Sequence, residues 1–182
     1  MQTSTTDDRQ LRLVLAAGKV IVEQGSGAAT LREIARAAGQ TTGAIEHHFT
    51  GRHELLLRTA ELLVDQLWRR VSEHRAEIVD LLEQVLPLDE LRRQEAVLWL
   101  AFLCGGVSSA EVRSELGRAQ SQLRELCQRK PAGATGDLDV DLLLVALNGI
   151  RLHALIDPDH FGSDRQLALL QYCLDMAGSA AA

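Results

Sequence analysis

Residues 41–48 of the sequence read TTGAIEHH and combine small, polar and titratable side chains. Glu46 and His47 carry groups that can hydrogen-bond to base edges in a DNA groove, where a carboxylate accepts from cytosine N4. The small residues before them would let a helix backbone come close to phosphates, to which free N–H groups donate. The pattern predicts DNA contacts by Thr30, Thr41, Thr42, Gly43, Ala44, Glu46, His47, His48 and Arg52.

Arg52 and His48 are expected at the edge of this surface. Arg52 lies in the first turn of a predicted helix, where a cation opposes the helix dipole by a few tenths of a kcal/mol. A phosphate partner explains its position better than helix stability does, and an ion pair with Glu54 or another acid is the alternative. His48 is expected either to reach a phosphate or to pack against its neighbours.

The segment before these residues has the pattern of a short helix followed by a tight turn. Thr30 and Glu33 form a capping box, in which each side chain is expected to bond the other residue's backbone N–H. Gly39 can leave the helix with a positive φ. One apolar stripe, at helical spacing, is formed by Leu31, Ile34, Ala35 and Ala38.

A second short helix is predicted directly after the turn. Thr41 can cap it, and Ile45 and Phe49 fall on one side, so that Glu46 and His47 face outward. Two helices joined in this way form a helix-turn-helix, whose second helix enters the DNA major groove.

The rest of the chain also favours helices. It has 182 residues, 3% aromatic residues and three prolines, and we find no run of alternating β-branched residues. The prediction is an all-α fold of about nine helices, with a three-helix helix-turn-helix domain first. PAGATG at 131–136 is expected to be a loop. Besides the two short helices, the predicted helical ranges are 7–24, 52–73, 76–86, 89–104, 109–129, 137–156 and 164–177.

Charge and hydropathy exclude several classes of protein. The net charge is −6, but residues 1–60 sum to +1 and residues 61–182 to −7, so the acidic excess lies outside the predicted DNA-binding part. No apolar stretch reaches the roughly 20 residues of a membrane span. The polar, acidic N-terminus does not resemble a signal peptide, so a cytoplasmic protein without a membrane partner is expected.

Catalytic and metal chemistry are not indicated. Cys104, Cys127 and Cys173 lack metal-ligand spacing and are expected to be buried reduced thiols. The six histidines also lack such spacing, so neither a metal site nor another cofactor is predicted. We see no nucleophile–base pairing and no Gly-rich phosphate loop, and a helical enzyme is therefore disfavoured.

The last two predicted helices are apolar on more than one side, which suggests a homodimer. A surface helix needs only one apolar stripe, and a second copy could cover the other one. The alternative is that both faces are internal. Arg151 and His153 could line a ligand pocket, pair across the dimer or be paired in the interior. The candidate interface residues are Leu143, Leu147, Ile150, Arg151, His153, Leu167, Leu170 and Leu174.

Residues 7–65 resemble the DNA-binding domain of the tetracycline-repressor (TetR) family of bacterial transcriptional regulators. The resemblance is carried by T-x-x-x-I-A-x-x-A-G, T-T-G-A-I-x-x-H-F and R-x-E-L-L. EAVLWLAF at 95–102 and ALIDP at 154–158 are similar to the choline-responsive betaine-regulator branch. Gln40 and Glu46 depart from the family pattern, which usually has a small apolar residue and an aromatic residue there.

The resemblance implies a helix-turn-helix domain over 7–52 and a helical ligand-binding and dimerisation domain over 53–178. It implies a repressor that binds a palindromic operator as a dimer and responds to an unidentified small molecule. The alternative is a protein-interaction module with a degenerate helix-turn-helix. The candidate pocket residues, whose alternative is ordinary core, are Trp68, Trp99, Phe102 and Cys104.

Overall fold

The computed structural model describes residues 3–73, 78–104, 109–128 and 139–179. These residues form nine α-helices and no strand, so the predicted all-α fold is confirmed. None of the described helices is long and apolar enough to cross a membrane. The helices are α1 (Thr3–Gln24), α2 (Leu31–Ala37), α3 (Thr42–His48), α4 (Arg52–Glu73), α5 (Ile78–Glu83), α6 (Glu90–Cys104), α7 (Ala110–Gln128), α8 (Val140–Ile156) and α9 (Ser163–Ser179).

The chain divides into two compact units. Unit 1 comprises Met1–Asp65 and Leu98–Leu116, and unit 2 comprises Gln66–Val97 and Gly117–Ala182. Helices α4, α6 and α7 each begin in one unit and end in the other. This division follows packing, and the predicted functional domains, 7–52 and 53–178, stay a prediction.

Unit 1 is built around α1, which packs against both α2 and α3. Leu13, Ala17 and Ile21 fall at i, i+4 and i+8 and are almost completely buried. Gly18 lies where α1 meets Leu98, whose Cδ1 is 3.5 Å from the position that a glycine Cβ would take. Each large aliphatic side chain buried in this way contributes roughly 1.5–3 kcal/mol to folding.

Unit 2 has its core between the two C-terminal helices and α5. Helix α8 packs against α9, and α5 also packs against α9. The core face of α8 includes Leu143, Leu147 and Ile150, and that of α9 includes Leu170 and Leu174. The core is therefore contributed by helices that lie far apart in the sequence.

Helix positions agree with the sequence prediction, with differences at the ends. α1 begins at Thr3 and not at residue 7, and α8 begins at Val140. The chain leaves α5 before Pro87, as expected for a residue without a backbone N–H. The predicted loop 131–136 lies outside the described residues.

Candidate nucleic-acid interface

Helix α2 begins with the predicted threonine cap but without the full capping box. Thr30 Oγ1 accepts a hydrogen bond from Glu33 N at 3.2 Å. The predicted second bond, from Thr30 N to the Glu33 carboxylate, is wrong. Thr30 N donates to Ala28 O, and the Glu33 carboxylate accepts from Arg36 Nε at 2.9 Å. The preceding 3₁₀ turn, Ser26–Ala28, has therefore replaced the glutamate as the partner of that N–H.

The turn between α2 and α3 has the predicted geometry. Gly39 has φ +63°, in the left-handed region that favours glycine. Gln40 N donates to Ala35 O at 2.9 Å and satisfies a carbonyl at the end of α2. Thr41 Oγ1 then accepts from Ala44 N at 3.3 Å and caps α3.

Two buried anchors fix which face of α3 points outward. Ile45 is 0% and Phe49 2% exposed, so both side chains are held in the interior of unit 1. Ala44 and His48 are half-buried at the flank. The predicted orientation is confirmed: the exposed residues at this helix are Thr41, Thr42, Gly43, Glu46 and His47.

Arg52 is held by backbone carbonyls. Its Nε donates to Ala29 O at 2.6 Å and its Nη2 to Ser26 O at 2.9 Å. The alternative ion pair with Glu54 is wrong, because the Glu54 carboxylate accepts from the N–H and hydroxyl of Thr50. These two bonds, the backbone one foremost, hold the pKa of Glu54 below its usual value. Arg52 thus fastens the start of α4 to the turn before α2, and its phosphate contact stays a prediction.

A groove of about 460 Å³ lies between α1 and α3, and three of its polar side chains were not among the predicted site residues. Arg9 and Arg12 come from α1 and Gln40 from the turn. The signal for the arginines was their spacing of three on one helix face, although the sequence just before them is acidic. The lining of this α1–α3 groove is Arg9, Arg12, Ala38, Gly39, Gln40, Thr41, Ala44, His47 and His48.

The arginines of this region differ in how they are paired. Arg12 Nη2 lies 3.1 Å from Asp8 Oδ2, and Arg36 Nη2 lies 2.8 Å from Glu33 Oε2. Arg9 is exposed and makes no ion pair among the side chains that the structure describes. It is therefore a cation beside α3 that the described acidic side chains do not neutralise.

The predicted pocket residues fall into two environments. Trp99 is 5% and Phe102 0% exposed, both in unit 1, while Trp68 is half-buried in unit 2. Cys104 is exposed, so its predicted inward orientation is wrong. Residues two apart on a helix point in nearly opposite directions. Because Phe102 points inward, Cys104 points outward.

The predicted interface set needs correction. Six of its eight side chains are buried in the single chain, where they cannot meet a second copy, and five of these belong to the core of unit 2. The sequence pattern placed the wrong apolar stripe outside, because it cannot tell which of two stripes faces the core. His153 is exposed and Leu167 half-buried; the buried six are Leu143, Leu147, Ile150, Arg151, Leu170 and Leu174.

Comparison with protein families gives two matches that together cover most of the chain. Residues 13–59 match the model for bacterial regulatory proteins of the tetR family. Residues 74–178 match the model for the C-terminal region of BetI-type transcriptional repressors.

Individual relatives agree with these families. The HTH-type transcriptional regulator PksA of Bacillus subtilis (strain 168) is 25% identical, covering 87% of this chain and 84% of the relative. The HTH-type transcriptional regulator BetI of Vibrio campbellii is also 25% identical, covering 92% and 90%.

Solved structures share the fold. A transcriptional regulator from Rhodococcus sp. Rha1 has a TM-score of 0.86 and 27% identity, covering 94% of this chain and 97% of that chain. A regulator from Saccharomonospora viridis, solved in complex with choline, has a TM-score of 0.82 and 19% identity, covering 93% and 96%. The chain belongs to the tetR family: it is a transcriptional regulator with a DNA-binding N-terminal region and a BetI-type C-terminal region.

Proposed function

We propose that this regulator is a ligand-responsive repressor that binds a palindromic operator as a homodimer. The observation that carries the proposal is the outward polar face of α3, which Ile45 and Phe49 fix from behind. Each subunit would place α3 in a major groove, with half-sites about one helical turn, roughly 34–36 Å, apart. Proteins of this family are generally not enzymes, and we infer a cytoplasmic location from the proposed action on chromosomal DNA.

Glu46 is proposed as a base-reading side chain. It is exposed on α3, and an acid near phosphates is repulsive unless it accepts a hydrogen bond from a base such as cytosine. Glu46→Gln should raise affinity for DNA in general while lowering the ratio of operator to non-operator binding.

The test selects bound fragments from genomic DNA with the full-length protein and titrates one selected duplex and one unrelated duplex at fixed salt. Glu73→Gln is the matched control, since it makes the same charge change at an exposed position at the end of α4. Tighter binding by Glu46→Gln with unchanged specificity would contradict base reading. Failure of the wild type to enrich any palindrome would favour the interaction-module alternative.

The homodimer is proposed to form through the exposed apolar stripe of α8. Its members recur at spacings of three and four, the pattern of a helix–helix seam. A Cβ on Gly149 would meet no heavy atom within 4 Å, so this position allows close approach of a second helix. Tyr172 and Met176 add exposed apolar surface on α9. The α8 stripe consists of Leu142, Val145, Gly149, Leu152 and Ile156.

Val145 is the most exposed side chain of that stripe, at 71%. Val145→Glu would put a charge into an apolar contact and should convert the dimer to a monomer in sedimentation velocity. Leu91→Glu is the control, because Leu91 is also well exposed, at 61%, and lies on α6. A Val145→Glu protein that keeps its helix content and remains dimeric would exclude this stripe as the interface.

Helix α4 is proposed to couple the effector to the DNA-binding part. Its first turn is fastened by Arg52 to the turn before α2, and His53 Nε2 lies 3.2 Å from Glu111 Oε2 at the start of α7. A ligand that favours one position of α4 would change operator affinity by a typical coupling of 1–3 kcal/mol. Effector addition should weaken operator binding without dissociating the dimer, which size-exclusion and gel-shift measurements on one sample can check.

The effector is proposed to be a small molecule bound near the aromatic side chains of the helical body. In unit 1, Trp99 and Phe102 can contact a quaternary ammonium group through cation–π interactions. Because the chain has only two tryptophans, their fluorescence would report binding directly. Choline, found with the Saccharomonospora viridis regulator, is the first compound to titrate. If another compound changes the fluorescence and choline does not, the effector belongs to a different class of ligand.

A further inference from the structure

We propose that the α1–α3 groove binds the DNA backbone beside the major groove, with Arg9 as its principal phosphate contact. The inference rests on the proposed function, because the groove meets DNA only if α3 enters the major groove. It adds a second contact surface, from α1, to the surface that the sequence predicted on α3.

The composition of the groove favours an anion. Two arginines and two histidines line it, and the nine lining residues that the structure describes include no aspartate or glutamate. The nearest described acid bound to a lining residue is Asp8, which pairs with Arg12. A DNA phosphate would therefore meet a cationic surface without facing a lining carboxylate.

The position of the groove favours the DNA backbone over a free anion. Ala44, His47 and His48 lie at i, i+3 and i+4, so they share one side of α3 and form one wall of the groove. Ile45, about 100° round the helix from Ala44, is buried and fixes the orientation of this wall. A strand that borders a major groove occupied by α3 would run along this wall, and half-buried Ala44 is small enough to let it come close.

Arg9 is better suited than Arg12 to contact a phosphate. Arg12 already donates to the carboxylate of Asp8 at 3.1 Å and to the Asp8 carbonyl at 3.4 Å. Arg9 is exposed and has no ion pair among the described side chains, so binding DNA would not require breaking an ion pair that the structure describes. Its guanidinium can present a fork of two N–H donors to phosphate oxygens.

Gln40 gives the groove a neutral donor. Its departure from the small apolar residue usual in the family has a structural reason here: the side chain is half-buried and lines the groove. Its backbone N–H is already used by Ala35 O. The amide NH₂ can donate to a phosphate oxygen, a contact that positions a protein on DNA without reading sequence.

The test compares full-length wild type, Arg9→Gln and Arg9→Lys on one selected operator duplex and one unrelated duplex, over a series of salt concentrations. Arg9→Gln should weaken binding to both duplexes by the same factor. It should also reduce the slope of log affinity against log salt by about 0.9 per subunit, roughly 2 for a dimer. Arg9→Lys keeps the charge and should retain the slope.

Arg69→Gln is the matched control, because it removes one positive charge from an exposed position in unit 2. An equal loss of slope in Arg69→Gln would mean that only net charge matters, and an unchanged slope in Arg9→Gln would mean that Arg9 touches no phosphate. Either result overturns the inference while leaving DNA binding by α3 intact. A wild type that binds no duplex would overturn both the proposed function and the inference.

Discussion

Polar side chains are used differently in the α2–α3 region of unit 1 and in unit 2. The side-chain hydrogen bonds that cap α2 and α3 are local, since Thr30 with Glu33 and Thr41 with Ala44 are each three residues apart. In unit 2 the buried and half-buried arginines join distant parts of the chain: Arg70 bonds Glu95 twenty-five residues away. The local bonds leave an exposed polar face available for a partner, whereas the long-range bonds stabilise the fold.

Three arginines in unit 2 meet at the end of α5. Arg92, Arg70 and Arg151 donate to three consecutive carbonyls, those of residues 83, 84 and 85, respectively. The arginines come from three different helices, α6, α4 and α8. A helix end carries carbonyls without intrahelical partners, and these guanidinium groups satisfy them.

Because Arg70 and Arg151 are largely buried, their positive charges depend on the Glu95 carboxylate for stabilisation. Burial lowers the pKa of Arg151 to about 10, so the group stays charged at neutral pH. The charge of Glu95 acts in the opposite direction on that pKa, and both oxygens of Glu95 accept from Arg70. One carboxylate therefore stabilises two cations that are largely removed from water.

Glu95→Gln is expected to give the largest loss of stability. Removing one partner of a buried ion pair leaves an uncompensated charge, which costs about 3–5 kcal/mol. The free energy of unfolding, measured in urea at fixed protein concentration, should fall by that amount. Glu90→Gln is the control, because Glu90 is exposed and lies 4.0 Å from Arg93; its expected loss is below about 0.5 kcal/mol. Similar losses in the two variants would mean that the cluster behaves like a surface pair.

Thr30→Ala tests the local kind of contact and should have a smaller effect. It removes the oxygen that accepts from Glu33 N, and loss of such a cap costs about 1 kcal/mol. Amide hydrogen exchange should accelerate in α2 while α8 stays protected. Thr30→Ser keeps the hydroxyl and should restore protection. Equal acceleration in α2 and α8 would show that the cap is not a local contact.

The same contrast explains what the sequence could predict. The turn at Gly39, the cap at Thr41 and the inward side of Ile45 depend on residues within one or two helical turns, so spacing alone predicted them. The hydrogen bonds from Arg52 to Ser26 and Ala29 span more than twenty residues, so spacing could not predict them. The sequence instead favoured a phosphate as the partner of Arg52.

Helix α8 shows why residues predicted at the interface are buried in the core. Both of its stripes are apolar, and periodicity describes them equally well. Only the packing of α5 and α9 against one stripe decides that Leu147 is core and Val145 is exposed. Likewise, no local pattern links Arg9 to Gln40, because the α1–α3 groove exists only after the helices have packed.

The smallest expected effect is at Asp89, the capping residue of α6 next to the arginine cluster. Its Oδ1 accepts from Arg92 N at 2.8 Å and its Oδ2 from Arg92 Nε at 2.6 Å. These contacts, the backbone one foremost, hold the pKa of Asp89 below its ordinary value of 3.8. Stability from this carboxylate is therefore present above pH 3.8 and is lost as the pH falls through the lower, folded-state value.

Asp89→Asn separates the charge of this cap from its hydrogen bond. Asparagine can keep the bond to Arg92 N but cannot ionise, so the variant should be slightly less stable than wild type at pH 7. The difference should shrink as the pH falls below 3.8 and through the lower folded-state value, where the folded carboxylate becomes protonated. Because half of the Asp89 side chain is exposed, the effect should also weaken with added salt. A difference that is constant from pH 7 to pH 3 would mean that Asp89 acts only through its geometry, as Thr30 does in unit 1.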